Sequence, residues 1–164
     1  MPVMPVTVTP VTVTIARENP ASPNLTLLFA RHTADMHADT PPESIHMMDA
    51  AELDIPDVQF FVAREAGQPL GMGSFKRLSG THAEIKSMHV LTEARGRGLS
   101  KAMLAHVEAA AKASGVTRLS LETGVQPTFL AARALYEKAG YTVCGPFEGY
   151  ADDPNSLFMT KELG

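Results

Sequence analysis

Arg95-Gly96-Arg97-Gly98-Leu99-Ser100-Lys101 joins positive charge to small residues, at the point where Glu84-Ile-Lys-Ser-Met-His-Val90 and a Leu-Thr-Glu-Ala link give way to an amphipathic run. That combination binds anions. A helix start leaves its first backbone N–H groups unpaired, and small residues let an anionic group approach them closely. Gly96 and Gly98 can take positive φ and aim successive amides at one point, while Arg95 and Arg97 add charge. The chemistry implied is the holding of a phosphate or diphosphate, and the spacing narrows the kind. A Walker A loop needs G-x-x-x-x-G-K-[ST]; here Lys101 follows the hydroxyl residue and the reading fails. The dinucleotide fingerprint G-x-G-x-x-G is met at Gly96 and Gly98, but Lys101 stands where the third glycine belongs. Glu122, about 20 residues on, sits where a ribose-binding acid would, so a dinucleotide-dependent oxidoreductase stays as an alternative.

The elements that must position this loop follow from periodicity. Leu99, Met103, Val107 and Ala110 recur at helical steps, and Ile85, Met88 and Val90 mark the strand ahead of the loop. Val11 to Arg17 alternates β-branched residues as a first strand. Ser22-Pro23 is expected to cap a helix running through Leu25, Leu28, Phe29 and His32 towards His37. Glu43 to His46 and Met47 to Leu53 are expected to form a short second helix, capped by Glu43 and Ser44. Val58 to Arg64, Leu70 to Leu78 and Ala83 to Val90 make an antiparallel meander. Arg118 to Thr123 is a half-buried strand with Leu119 and Leu121 on one face, and Pro127 opens a helix that Gly140 closes. Tyr141 to Cys144 and Ser156 to Thr160 complete an order β-α-α-β-β-β-α-β-α-β-β.

The 164 residues suit one domain at 11–164, preceded by an extended Val/Thr/Pro arm at 1–10. A net charge of −4 without a lysine-rich run argues against nucleic acid, and no apolar run approaches the roughly 18 residues that span a bilayer. The single cysteine, Cys144, excludes an internal disulfide, fits the cytoplasm, and reads as a small core residue. No metal site is read, since His32 and His37 are five apart and do not share a helix face. Glu43, Ser44 and His46 are candidate acceptor-binding residues in a long polar connection, and Asn155 either joins the site or shapes its own turn.

Arg95, Gly98 and Ser100 occupy the three positions of [QR]-x-x-G-x-[GA], and Ala132-Arg-Ala-Leu-Tyr-Glu-Lys-Ala-Gly-Tyr141 follows A-R-x-L-Y-x-x-x-G-[FY]. Both patterns, and the element order, resemble the GNAT acetyltransferases from about Val11 to Leu163; Ser100 departs from the usual Gly or Ala. Pro41-Pro-Glu-Ser-Ile-His46 and Asp153-Pro-Asn-Ser-Leu-Phe-Met159 further resemble a subgroup of small bacterial members. The resemblance implies an α/β (α+β) fold, with a central mixed, mostly antiparallel sheet of about six to seven strands flanked by about four helices. It implies acetyl-CoA as donor, held through Met88, His89, Val90, Arg95, Gly96, Arg97, Gly98, Leu99, Ser100 and Lys101. It also implies Glu84 as a base, Tyr136 as the acid serving the departing thiolate, and an amine of a small molecule or peptide as acceptor. A non-catalytic acyl-CoA-binding protein is the other alternative, and a homodimer stays open as an assembly.

Overall fold

The computed structural model describes residues 12–164, so the expected arm at 1–10 lies outside the described residues. Strands β1 (Val13–Arg17), β2 (Val58–Glu65), β3 (Gln68–Arg77) and β4 (His82–Val90) pair antiparallel in sequence order. Strand β5 (Arg118–Gly124) joins β4 in parallel, and β7 (Ser156–Glu162) lies between β5 and β6 (Thr142–Cys144). The result is one mixed, mostly antiparallel sheet of seven strands, in the order β1-β2-β3-β4-β5-β7-β6. Four helices flank it: α1 (Thr26–Asp39), α2 (Ala50–Leu53), α3 (Leu99–Ala113) and α4 (Leu130–Lys138). The element order is the one periodicity predicts.

Strand alternation divides the core between the two faces of the sheet. Phe61, Phe75, Ile85, Leu119, Leu121 and Met159 pack with Met103, Leu104 and Val107 of α3 and Tyr136 of α4. Phe60, Val62, Met72 and Val90 pack on the other face with Leu25, Leu28 and Leu53. Adjacent residues Phe60 and Phe61 therefore serve opposite layers, each burial being worth about 1.5–3 kcal/mol.

Two local expectations are corrected. Ser22 makes no side-chain cap, and a 3-10 turn at Pro23–Leu25 leads into α1. The second helix is only Ala50–Leu53, and its capping box comes from Asp49 and Glu52 rather than from Glu43 and Ser44. The Ser44 side chain turns inward instead, donating to Asp153 Oδ2 at 2.6 Å, and Ile45 is extended, so no helix can run from Glu43 to Leu53.

The feature that makes room for a site is a break in the sheet. Parallel pairing between β4 and β5 covers only His82, Ala83 and Glu84 opposite Arg118, Leu119 and Ser120; beyond these the strands separate. The far edge of β4 is bent as well, for its register with β3 shifts between Met72 and Ser74 where Ser87 takes φ 54°. Gly73 accommodates the bulge: a Cβ there would lie 2.6 Å from Met88 Sδ and 2.7 Å from Met103 Cγ. Gly73→Val is expected to destabilise the fold by about 1–3 kcal/mol through overpacking. Calorimetry checks this, an unchanged melting temperature showing that the two methionines yield freely.

Candidate active site

At the entrance of α3 the backbone adopts the conformation the glycines permit. Gly96 and Gly98 have φ 82° and 76°, and a Cβ on either would meet nothing within 4 Å. Ala102 N–H makes the first intrahelical bond, to Gly98 O at 3.0 Å, so the amides of Leu99, Ser100 and Lys101 precede the ladder and face open space. That is room for a diphosphate on a helix's positive end. The arginines do other work. Arg95 donates to Val90 O at 3.1 Å and to Asp35 Oδ2 at 3.1 Å, tying the loop to β4 and α1. Arg97 is paired with Glu65, and its side chain does not line the cleft.

The gap between β4 and β5 is a cleft of about 790 Å³ that runs from Gly96, Gly98, Leu99, Ser100 and Lys101 to Glu84, Tyr136 and Tyr150. Met88, His89 and Val90 line it, as do Ser44 and His46; Glu43 does not, and is exposed. Tyr136 is 6% exposed at the end of α4, which stops there through a Schellman motif: Tyr141 N–H donates to Tyr136 O at 3.0 Å, and Gly140 at φ 98° makes the turn. The Tyr141 ring meets that of Tyr136 edge-on at 5.6 Å. Burial raises the Tyr136 phenol above its ordinary range, which keeps its proton available for donation.

Glu84 is 4% exposed on β4, and two groups, themselves hydrogen-bonded to each other, hold it from one side. Tyr150 Oη donates to Glu84 Oε2 at 2.5 Å, Lys86 Nζ lies 3.2 Å from the same oxygen, and Lys86 also donates to Tyr150 Oη at 2.9 Å. Burial pushes the Glu84 carboxyl up, against the opposing pull of Lys86 and the Tyr150 hydrogen bond. Among the described residues Oε1 has no partner. Alternation puts Lys86, Ser120 and Glu122 on the same face of the sheet as Glu84, away from Leu119 and Leu121.

The two segments singled out at Pro41–His46 and Asp153–Met159 meet over this face. Ser44 donates to Asp153, Asn155 Nδ2 donates to Ser44 Oγ at 3.3 Å, and Ser156 Oγ donates to Glu122 Oε2 at 2.7 Å. His46 Nδ1 lies 2.7 Å from the same Glu122 oxygen. Glu122, weighed earlier as a ribose acid, is thus engaged by an imidazole and a hydroxyl. On the α1 side, His89 packs its ring 5.3 Å from that of His32, with Nδ1 3.8 Å from Asp35. Burial lowers the pKa of both rings, His32 down to about 4, so both are neutral near pH 7.

Sequence reasoning missed Tyr150 and Lys86. Tyr150 lies in a Gly/Pro/Asp-rich connection 66 residues from the carboxylate it holds, and only tertiary placement reveals the pairing. Lys86 carried a usable signal, being two residues from Glu84 and hence on its face of the strand.

The site is thus a helix start with open amides leading onto a split between parallel strands, with a buried acid and a buried phenol along it. The profile described as the acetyltransferase (GNAT) family matches residues 28–141, and the chain belongs to that family. It is an acetyltransferase, and its family uses acetyl-CoA. The chain is 42% identical over 136 residues to YsnE of Bacillus subtilis, described as an uncharacterized N-acetyltransferase, covering 83% of this chain and 90% of that one. It is 40% identical over 156 residues to an IAA acetyltransferase of Azospirillum brasilense, covering 92% and 98%. A Klebsiella pneumoniae structure assigned as an acyl-CoA N-acyltransferase superposes with TM-score 0.80 at 29% identity, over 93% of this chain and 98% of that one. YncA of Salmonella typhimurium, solved with its cofactor acetyl-CoA, shares the fold at TM-score 0.67 and 20% identity, over 93% and 94%. Among the described residues no helix is long and apolar enough to cross a membrane.

Proposed function

We propose that the protein transfers the acetyl group of acetyl-CoA to an amine of a small molecule or peptide, by direct attack in a ternary complex. The observation that carries this is one continuous cleft with the glycine loop at one end and Glu84 and Tyr136 further along it. Acetyl-CoA brings an already activated thioester, so the chain has only to align the amine, manage protons and stabilise the oxyanion. The amides from Arg97 to Lys101 hold the diphosphate, and the main chain of Met88 to Val90 pairs with the pantetheine arm. Val90 N–H polarises the thioester carbonyl. Glu84, with one oxygen fixed by Tyr150 and Lys86 and the other free, orients the amine and takes a proton from it through water. Tyr136, its phenol held protonated by burial, supplies the departing thiolate. Ser44 and His46 stand at the acceptor's end of the cleft.

Acetyl-CoA mixed with a panel of primary amines, with free thiol followed against time, tests this reading. At least one amine is expected to raise thiol release well above the rate with water alone. Tight acetyl-CoA binding without amine-dependent thiol release would mean a binding protein instead.

A further inference from the structure

Proton bookkeeping shows a task that Glu84 and Tyr136 leave undone. An acceptor that arrives as an ammonium loses two protons on becoming an amide; the thiolate takes up one, and the other must reach solvent. Glu84 and Tyr136 are 4% and 6% exposed and are poor outlets. The cleft holds one further proton carrier suited to the work.

We propose that His46, oriented by Glu122, takes the first proton from the acceptor ammonium and passes it to solvent. This rests on the acetyl-transfer reading above and adds a catalytic residue and a positioning residue to it.

The ring is held from several directions. Glu122 Oε2 lies 2.7 Å from Nδ1 and is itself fixed by Ser156 Oγ. A carboxylate only accepts, so Nδ1 carries the proton and Nε2 the lone pair. Among the described residues Nε2 has no partner. The Tyr150 ring meets the imidazole edge-on at 5.1 Å, and Lys86 Nζ donates to His46 O at 3.0 Å. Just upstream, Ser44 is clasped by Asp153 and Asn155. A side chain 37% exposed would ordinarily keep its rotamer freedom, whereas this one is restrained on its ring and its backbone with one nitrogen left open beside Glu84's cleft. That is how a base is presented: one ring nitrogen anchored on a carboxylate, the other free for the substrate.

The step balances. The N–H bond of R–NH3+ breaks, His46 Nε2 gains the proton as R–NH2 forms, and the imidazolium releases it to water. Attack on the thioester then leaves the second proton on Glu84 while Tyr136 gives its own to the thiolate, and passage of the Glu84 proton through water to the Tyr136 phenolate restores both groups. The charged and titratable groups facing His46 are Glu122 from β5, Lys86 and Glu84 from β4, and Tyr150 and Asp153 from the 145–155 connection.

Two arms test the proposal. Ring nitrogen spectra of the full chain with CoA bound should give the Nδ1–H tautomer for neutral His46, and Glu122→Gln should abolish that preference, since an amide can donate to Nδ1 as well as accept from it. With ethylamine, tyramine and a lysine tripeptide as acceptors, His46→Gln should lower kcat at least about 100-fold and remove the fall in kcat at low pH, while the acetyl-CoA Kd stays within about twofold. Glu122→Gln should lower kcat as well, with the acetyl-CoA Kd again within about twofold. An Nε2–H tautomer, or a kcat and pH profile preserved in His46→Gln, overturns the proposal. A wild type that binds acetyl-CoA and acetylates none of these amines overturns the amine reading and this proposal together, and its own rate tells that case from failure of His46 alone.

Discussion

Gly98→Glu abolishes acetyl-CoA binding, with an expected loss of at least about 100-fold in Kd, or about 2.7 kcal/mol. The new carboxylate would sit among the amides of Leu99, Ser100 and Lys101, satisfying the donors meant for the diphosphate and repelling it. Position 98 also has φ 76°, so any side chain adds strain of about 1–2 kcal/mol. Gly98→Ala separates the two effects, because its Cβ meets nothing within 4 Å: it pays the strain in melting temperature and retains most of the affinity. Titration calorimetry on both variants reads the difference. Full affinity in Gly98→Glu would sink the cradle assignment.

Tyr136→Phe acts on turnover. Under the proposed mechanism, removing the phenol leaves the thiolate without its proton donor, and kcat is expected to fall about 10²- to 10⁴-fold with little change in acetyl-CoA affinity. Phenylalanine keeps the ring that packs edge-on against Tyr141, so the Schellman turn at Gly140 and the placing of α4 survive. Parallel losses in kcat and affinity would mark Tyr136 as a packing residue.

Much of this architecture was legible in residue order because the signals are local. Helix α3 declares itself by Leu99, Met103 and Val107, β5 by Leu119 and Leu121, and the end of α4 by Gly140. The backbone at the α3 entrance was legible for the same reason: Gly96 and Gly98 take positive φ as glycines there are free to do. What stayed hidden depends on partners distant in the chain. Ser87 at positive φ carries no signal of its own, since the bulge shows only when Gly73 lies opposite. The stretch from Glu43 to Leu53 misled because Ser44 spends its hydroxyl on Asp153, 109 residues away, and not on a helix start. Arg95 and Arg97 stood out by charge, while their pairing with Asp35 and Glu65, 60 and 32 residues away, could not be read locally. Glu122 and His46 each stood out separately, for different reasons, and the contact between them appears only when β5 and the α1–α2 connection are stacked.

Within the sheet, three rungs of parallel pairing join the blade of β1 to β4 to the blade of β5, β7 and β6, which otherwise meet through helix packing and side chains. Amide exchange should therefore find its weak seam along that crease in the free protein, ahead of the interior of either blade. A guest wedged between the blades touches both and acts as a splint, adding RT ln(1 + [L]/Kd) to the work of prying them apart. On this expectation the opening that admits a guest is also the line along which an empty molecule loosens first.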